Sequence, residues 1–343
     1  MTKKINVAIV GATGYVGLEL VKILSNHANV SIINLCARKN IGKKISFFDK
    51  SIKKKLPTIT NIDKVNWSKI DLLFLSLPNG EAQKIIVKLY ERYNKLKFID
   101  LSADFRLKDQ NQYLKWYKKK HKAKQLINKS IYSIPEISRK QINNYRIVSN
   151  PGCYPTSVQI PLIPLIKKNF LKNTTLRIDS KSGYSGAGKN FNKKFSHKNL
   201  YKSIFTYGLN GHRHYIEIKQ ELESISKNKI KLTFNPQVIP TFRGILTSIY
   251  IESRKNLSSI KIINILKKYY KKMKFVKINK LNQPINSGNV INTNNCEISV
   301  CEDKISKKIV IFSVIDNLIK GASGQATQNM NMMFGLSESK GLK

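Results

Sequence analysis

The chain has 343 residues, enough for two domains rather than one, and at 41% hydrophobic it can bury sizeable cores. Its 62 basic and 20 acidic residues leave a formal charge of +42. The lysines are spread through every segment and read as solvated faces, which sets specific nucleic-acid binding aside as the main function. The four cysteines form no Cys-x-x-Cys pair, and no apolar run is long enough to cross a bilayer. These features point to a soluble, cytoplasmic protein with no zinc site and no membrane partner.

Ile5 to Val10 reads as a buried parallel strand. The turn Gly11-Ala12-Thr13-Gly14-Tyr15-Val16-Gly17 follows, then a helical pattern through Leu18, Leu20, Val21 and Leu24. Strand, glycine turn and helix is the context of a dinucleotide site, with the first backbone N–H groups of the helix facing a pyrophosphate. The spacing is Gly-x-x-Gly-x-x-Gly rather than Gly-x-Gly-x-x-Gly. A turn that needs glycine for packing alone is the competing reading. The second strand, Val30 to Leu35, runs into Cys36-Ala37-Arg38-Lys39. A free ribose hydroxyl wants Asp or Glu there; Arg38 and Lys39 suit a 2′-phosphate, so the expected cofactor is NADP.

Asp71 to Ser76 is another buried strand, broken by Leu77-Pro78-Asn79-Gly80 and followed by a helix from Glu81 to about Tyr93. Phe98 to Leu101 is the next, ending in Ser102-Ala103-Asp104-Phe105-Arg106. Carboxyl ends of strands are where open α/β sheets bind ligands. Residues 107–140 are polar and lysine-rich, with few clear periods. Tyr145 to Val148 is a further strand and delivers Asn150-Pro151-Gly152-Cys153-Tyr154-Pro155-Thr156 to the same edge. Pro151-Gly152 forces a tight turn. Pro155 is expected as the first residue of a helix reaching about Asn169, with Cys153 just before it. The positive end of the helix dipole favours thiolate over thiol, which makes Cys153 the candidate nucleophile. A buried cysteine in an ordinary loop is the alternative.

Beyond this helix the pattern turns β-rich, with strands expected at 175–180, 231–238, 244–251, 275–278, 297–301 and 308–315 and helices near 215–226 and 260–272. That mixture predicts an α+β second domain. Gly321-Ala322-Ser323-Gly324 and a helix through Gln328 and Met332 close the chain. Three segments here carry chemistry. Ser182 to Lys189, with Ser185, Gly186 and Gly188, is a small-residue loop fit for close backbone approach to a ligand. Gly211-His212-Arg213-His214-Tyr215-Ile216-Glu217 holds two of the five histidines. Without a third nearby ligand a metal reading is weak, and pairing Cys153 with a histidine is more economical. Asp316-Asn317-Leu318 is a polar turn after a buried strand.

Taken together these segments resemble the N-acetyl-gamma-glutamyl-phosphate reductase family, within the wider aspartate-semialdehyde dehydrogenase superfamily. The resemblance runs in order through Gly11 to Gly17, Ile99 to Leu107, Asn150 to Thr156, Ser185 to Gly188, His212-Arg213-His214 with Glu217, and Asp316 to Gln325. It implies a Rossmann-type parallel-sheet domain over residues 1–152 and an α+β catalytic and dimerisation domain over 153–315. Residues 316–343 would return to the first domain, and the enzyme would be a homodimer or homotetramer. It implies NADPH-dependent reduction of N-acetyl-L-glutamyl 5-phosphate to the 5-semialdehyde in arginine biosynthesis, with release of phosphate. Cys153 would form a thioester and His212 would donate the proton as the thiohemiacetal collapses. Arg106 would help phosphate leave, and Arg213, His214 and Glu217 would bind substrate or tune the pair. Glu217 as a helix-surface partner of Arg213 is the alternative. The cofactor would lie against Gly11, Thr13, Gly14, Tyr15 and Val16, and against Arg38, Pro78, Ser185, Gly186, Gly188 and Asn317.

Two departures touch the cofactor contacts: Ala37 stands where the family has Ser, and Asn79 where it has His. The runner-up is a reductase of carrier-protein-linked aminoadipyl or glutamyl phosphate in lysine or arginine synthesis. An aspartate-semialdehyde dehydrogenase is disfavoured by Gly152 and the His-Arg-His run. A nucleic-acid-binding protein with a spent active site is disfavoured by the intact Cys153 and His212.

Overall fold

The apolar runs of the first half of the chain form one sheet. The computed structural model describes residues 4–171, 175–195, 198–226, 229–251, 258–306 and 308–343. It contains two compact units, Met1–Pro151 with Ala322–Leu342, and Gly152–Gly321 with Lys343. Asp316 to Gly321, expected to open the returning segment, therefore belong to the second unit.

The first unit runs β1 (Ile5–Val10), α1 (Tyr15–Ser25), β2 (Val30–Cys36), β3 (Ile59–Thr60), β4 (Leu72–Leu75), α2 (Ala82–Tyr90) and β5 (Lys97–Asp100). It continues through α3 (Gln110–Tyr117), β6 (Ser130–Tyr132), α4 (Pro135–Ser138) and β7 (Ile147–Ser149). The seven strands lie in the order β3-β2-β1-β4-β5-β7-β6, all parallel. A parallel sheet is covered on both faces, which is why β4 reads Leu-Leu-Phe-Leu with no polar alternation. Ile9, Phe74 and Ile99 pack with Leu20 and Leu24 of α1 on one face; Ala8, Leu73 and Phe98 pack with Ile86 and Leu89 of α2 on the other. The strand order reverses at β1, so the crevice at the carboxyl ends of β1 and β4 is where this topology binds ligands.

The featureless stretch 107–140 holds α3, β6 and α4. It escaped prediction because α3 buries only Tyr113 and Tyr117, and β6 is three residues at the sheet edge.

The second unit begins with α5 (Cys153–Lys167), β8 (Thr175–Gly183), α6 (Phe191–Lys194), β9 (Phe205–Thr206), α7 (Arg213–Ser226) and β10 (Lys231–Ile239). It ends with β11 (Ile245–Ile251), α8 (Ser259–Tyr270), β12 (Val276–Ile278), β13 (Cys296–Glu302) and β14 (Ile309–Ile315). Its sheet is mixed, in the order β12-β13-β14-β11-β8-β10-β9. In β8, Leu176, Ile178, Ser180 and Ser182 are buried and alternate with Arg177, Asp179 and Lys181, so one sheet face is apolar and one polar. Helix α5 packs on β11 and β14, and α8 on β12 and β13. This is the expected α+β arrangement.

The last helix, α9 (Gly324–Met333), belongs to the first unit. It is buried along its whole length although Gln325, Thr327, Gln328, Asn329 and Asn331 are polar. Paired polar atoms make this tolerable. Gln328 Nε2 donates to Glu136 Oε1 (2.9 Å), and Asn329 Nδ2 to the Ser133 carbonyl (3.1 Å). Asn331 Nδ2 donates to the Lys340 carbonyl (2.8 Å).

Candidate active site

In the glycine turn of the first unit, close packing constrains two of the three glycines. Gly11 has φ 88°, and a Cβ there would lie 2.0 Å from the Ser76 carbonyl oxygen. At Gly17 a Cβ would lie 2.1 Å from the Gly11 carbonyl oxygen. Both glycines are required by close backbone approach. Gly14 is different: it is the N-cap of α1 at φ −73°, and the nearest atom to a Cβ would be 3.6 Å away. Among the described residues no contact demands glycine at 14, and the space beside it at the helix start is open. The cap offers no side-chain acceptor to the helix N–H groups, and the first turn, opening with Tyr15 and Val16, has no acidic residue. Thr13 lies in the same turn. A pyrophosphate fits this cradle.

Arg38 follows β2 and is exposed, ion-paired to Glu81 at the N-terminus of α2. Glu81 also accepts from Lys84 Nζ (2.7 Å), and these two cations, Lys84 foremost, hold its carboxyl below the usual range. Pro78 lies between β4 and α2; the carbonyl of its neighbour Asn79 accepts from Lys119 Nζ (2.7 Å). Arg106 is buried. Its Nε donates to the Asn150 carbonyl (2.9 Å) and its Nη2 to the Leu101 carbonyl (3.1 Å). These bonds tie main chain after β5 to main chain after β7.

In the second unit Cys153 is the first residue of α5, with Gly152 as N-cap. Pro155 is therefore the third helical residue rather than the first. Its missing N–H still costs nothing, because the first four N–H groups have no partner within the helix. Pro161 and Pro164 also lie inside α5. The turn is held from both sides. Glu217 of α7, wholly buried, accepts the Gly152 N–H at 2.8 Å. The Gly152 carbonyl accepts from the N–H (3.0 Å) and Oγ1 (2.9 Å) of Thr156. Glu217 thus lies in the interior rather than on the helix surface. Gly321 packs so closely that a Cβ there would meet Cys153 Cβ at 2.7 Å. By contrast, burial pushes the Cys36 thiol up to about 12.

Tyr154 builds the surroundings of the histidines. Its ring stands edge-on to His212 and to His214, centroids 5.7 Å apart in each case, and to Phe234 at 5.4 Å. Its hydroxyl accepts from the Tyr207 hydroxyl (3.0 Å), and the Tyr207 ring stands edge-on to His212 at 5.2 Å. His212 Nδ1 accepts the His214 N–H at 3.1 Å, so a neutral imidazole carries its proton on Nε2. Burial, with the Arg213 guanidinium beside it, holds His212 down at about 4. Arg213 itself is exposed at the start of α7. Sequence reasoning missed Tyr154 and Tyr207; only the adjacency of Tyr154 to Cys153 could have flagged one of them. Among the described residues no group of three His, Cys, Asp or Glu could hold a metal ion.

Asn317 Nδ2 donates to Ser185 Oγ (2.9 Å), and its Oδ1 accepts the Gly244 N–H (2.8 Å). Gly188 has φ 82° with open space where a Cβ would be, and at Gly186 a Cβ would meet Ser182 Oγ at 3.3 Å.

A glycine-cradled parallel sheet followed by a cysteine-led α+β unit is the plan of the semialdehyde dehydrogenases. The NAD-binding domain model of that group matches residues 6–145 and its dimerisation domain model residues 153–317. Aspartate semialdehyde dehydrogenase II from Vibrio cholerae is 16% identical and covers 97% of this chain and 99% of its own, with a TM-score of 0.73; that likeness carries the fold alone. N-acetyl-gamma-glutamyl-phosphate reductase from Ehrlichia ruminantium is 40% identical over 100% of this chain and 98% of its own. A probable chloroplastic N-acetyl-gamma-glutamyl-phosphate reductase from Oryza sativa is 39% identical over 99% of this chain and 82% of its own. The chain belongs to the N-acetyl-gamma-glutamyl-phosphate reductase family.

Proposed function

We propose that the chain reduces N-acetyl-L-glutamyl 5-phosphate to N-acetyl-L-glutamate 5-semialdehyde, releasing phosphate and oxidising NADPH, as a step of arginine biosynthesis. The observation that carries the mechanism is Cys153 at the first position of α5, with the N–H of its N-cap residue held by a buried carboxylate. Residues 11–16, Arg38 and Pro78, with Ser185, Gly186, Gly188 and Asn317, are assigned to the cofactor. When bound, it supplies the hydride that reduces the thioester.

The Cys153 sulfur attacks the acyl-phosphate carbonyl carbon as thiolate. The C–O bond to phosphate breaks, phosphate leaves with its electron pair, and a thioester remains. After reduction, the C–S bond of the thiohemiacetal breaks, the aldehyde leaves and the thiolate is restored. Charge develops on the carbonyl oxygen in both halves. His212, neutral with its proton on Nε2, is a hydrogen-bond donor to that oxygen, a role that needs no imidazolium. Tyr154 and Tyr207 hold its ring, and the His214 N–H fixes its tautomer. His214 and exposed Arg213 are assigned to the substrate.

The carrier-linked alternative is not favoured, because full-length relatives carry the N-acetyl-gamma-glutamyl-phosphate reductase name. Association through the second unit into a homodimer or homotetramer is consistent with its match to a dimerisation domain. No helix among the described residues is long and apolar enough to cross a membrane, and we assign the enzyme to the cytoplasm. The test is the reverse reaction: semialdehyde, phosphate or arsenate, and NADP⁺, followed as NADPH formation. Wild type should turn over and Cys153→Ser should not, because a serine hydroxyl does not ionise near neutral pH. Turnover by Cys153→Ser would end this mechanism.

A further inference from the structure

The segment after β5 contains a second buried carboxylate that the mechanism leaves unused. Asp104 is wholly buried. Its Oδ1 accepts the Gly80 N–H (2.6 Å) and the Tyr113 hydroxyl (2.7 Å), and its Oδ2 accepts the Gln83 N–H (3.0 Å). His121 Nε2 lies 2.7 Å from the Asp104 carbonyl oxygen, and the Asp104 N–H donates to Ser102 Oγ (3.2 Å). The local N-cap of α2, Glu81, makes no capping bond and directs its carboxylate at Arg38 and Lys84. Asp104 thus caps α2 from a distant point in the chain, where the helix dipole also favours a negative charge.

Its bonds end on Gly80, at φ 91°, and so fix the base of the Leu77–Gly80 loop. That loop continues from Ser76, whose carbonyl lies against Gly11 so closely that no Cβ fits between them. The anchored loop and the glycine turn are therefore neighbours at the carboxyl ends of β4 and β1.

We infer that Asp104 is a positioning residue for the nicotinamide-dinucleotide site, acting through the Leu77–Gly80 loop. The inference rests on the assignment of NADPH to the glycine turn. Asp104→Asn keeps the shape but offers one acceptor where the carboxylate offers two. In the full chain it should raise the KM and Kd for NADPH about tenfold, the equivalent of ~1.4 kcal/mol. kcat at saturating NADPH and the KM for the acyl phosphate should stay near wild type. Tyr113→Phe, which removes a single bond to Asp104, should move the KM for NADPH the same way by a smaller factor. Cofactor binding is read by quenching of protein fluorescence, with Tm measured on each variant.

A folded Asp104→Asn that binds NADPH like wild type, or that loses kcat and both KM values alike, overturns the inference. Should Asp104→Asn not fold, Tyr113→Phe decides, and an unchanged KM for NADPH overturns it. Wild-type protein that fails to bind NADPH overturns the functional reading and this inference with it, an outcome distinct from the variant results.

Discussion

Replacing Glu217 isolates what holds Cys153 in place. The carboxylate is wholly buried and accepts the Gly152 N–H at 2.8 Å, one residue before Cys153. In Glu217→Ala that N–H loses its acceptor inside the protein, a cost of about 1–3 kcal/mol. Glu217→Gln keeps an amide oxygen in reach and should lose only the difference between a charged and a neutral acceptor, roughly 1 kcal/mol. The consequence for chemistry is larger than for stability, because a nucleophile displaced by ~1 Å can lose about 10² in rate. The assay is single-turnover phosphate release from the acyl phosphate without NADPH, which reports acylation of Cys153 alone. Glu217→Ala should slow this burst by about 10², whereas Glu217→Gln should stay within about tenfold of wild type. An Ala variant that acylates at the wild-type rate would refute the anchoring role.

Three further outcomes follow from the geometry. His212, held at about 4 by burial and Arg213, should stay neutral from pH 8 to pH 5, so its acid limb in kcat/KM falls near 4. Its folded value lies below its ordinary one, so its contribution to stability is complete above pH 6.5 and is lost as the pH falls toward 4; a limb near 6.5 that disappears in His212→Asn would contradict this. Asp100 is pushed up to about 7 by burial and by Asp104, so its contribution is present below pH 3.8 and is lost as the pH rises through 7. Asp100→Asn should therefore raise Tm at pH 8 and not at pH 5, and equal shifts at both would exclude the cause. Arg38→Ala should weaken NADPH by about one to two decades, for a lost charge-assisted bond of about 1.5–3 kcal/mol, and leave NADH nearly unchanged; equal losses would remove Arg38 from the 2′-phosphate.

The strands and main helices were legible because their signals are local. Ile5 to Val10 followed by the glycine turn, and the alternation of burial in β8, arise from periods and turn chemistry acting over a few residues. Cys153 was legible for the same reason, since Pro151-Gly152 marks its turn on the spot. The sequence also named Glu217 without deciding its task. Helix α9 shows the limit most clearly. Its Gln and Asn residues are polar, yet they are buried because Ser133, Glu136 and the Lys340 carbonyl meet them. Glu217 and Gly152 are 65 residues apart, and Asp104 and Gly80 are 24 apart. Neither pair leaves a period or a motif, because a buried carboxylate finds its N–H donor only once packing has excluded water from both. Local signals in the chain alone mark Cys153 and the glycine turn. Which side chains anchor them was decided by tertiary packing, where an unmet hydrogen bond is costly enough to choose the partner.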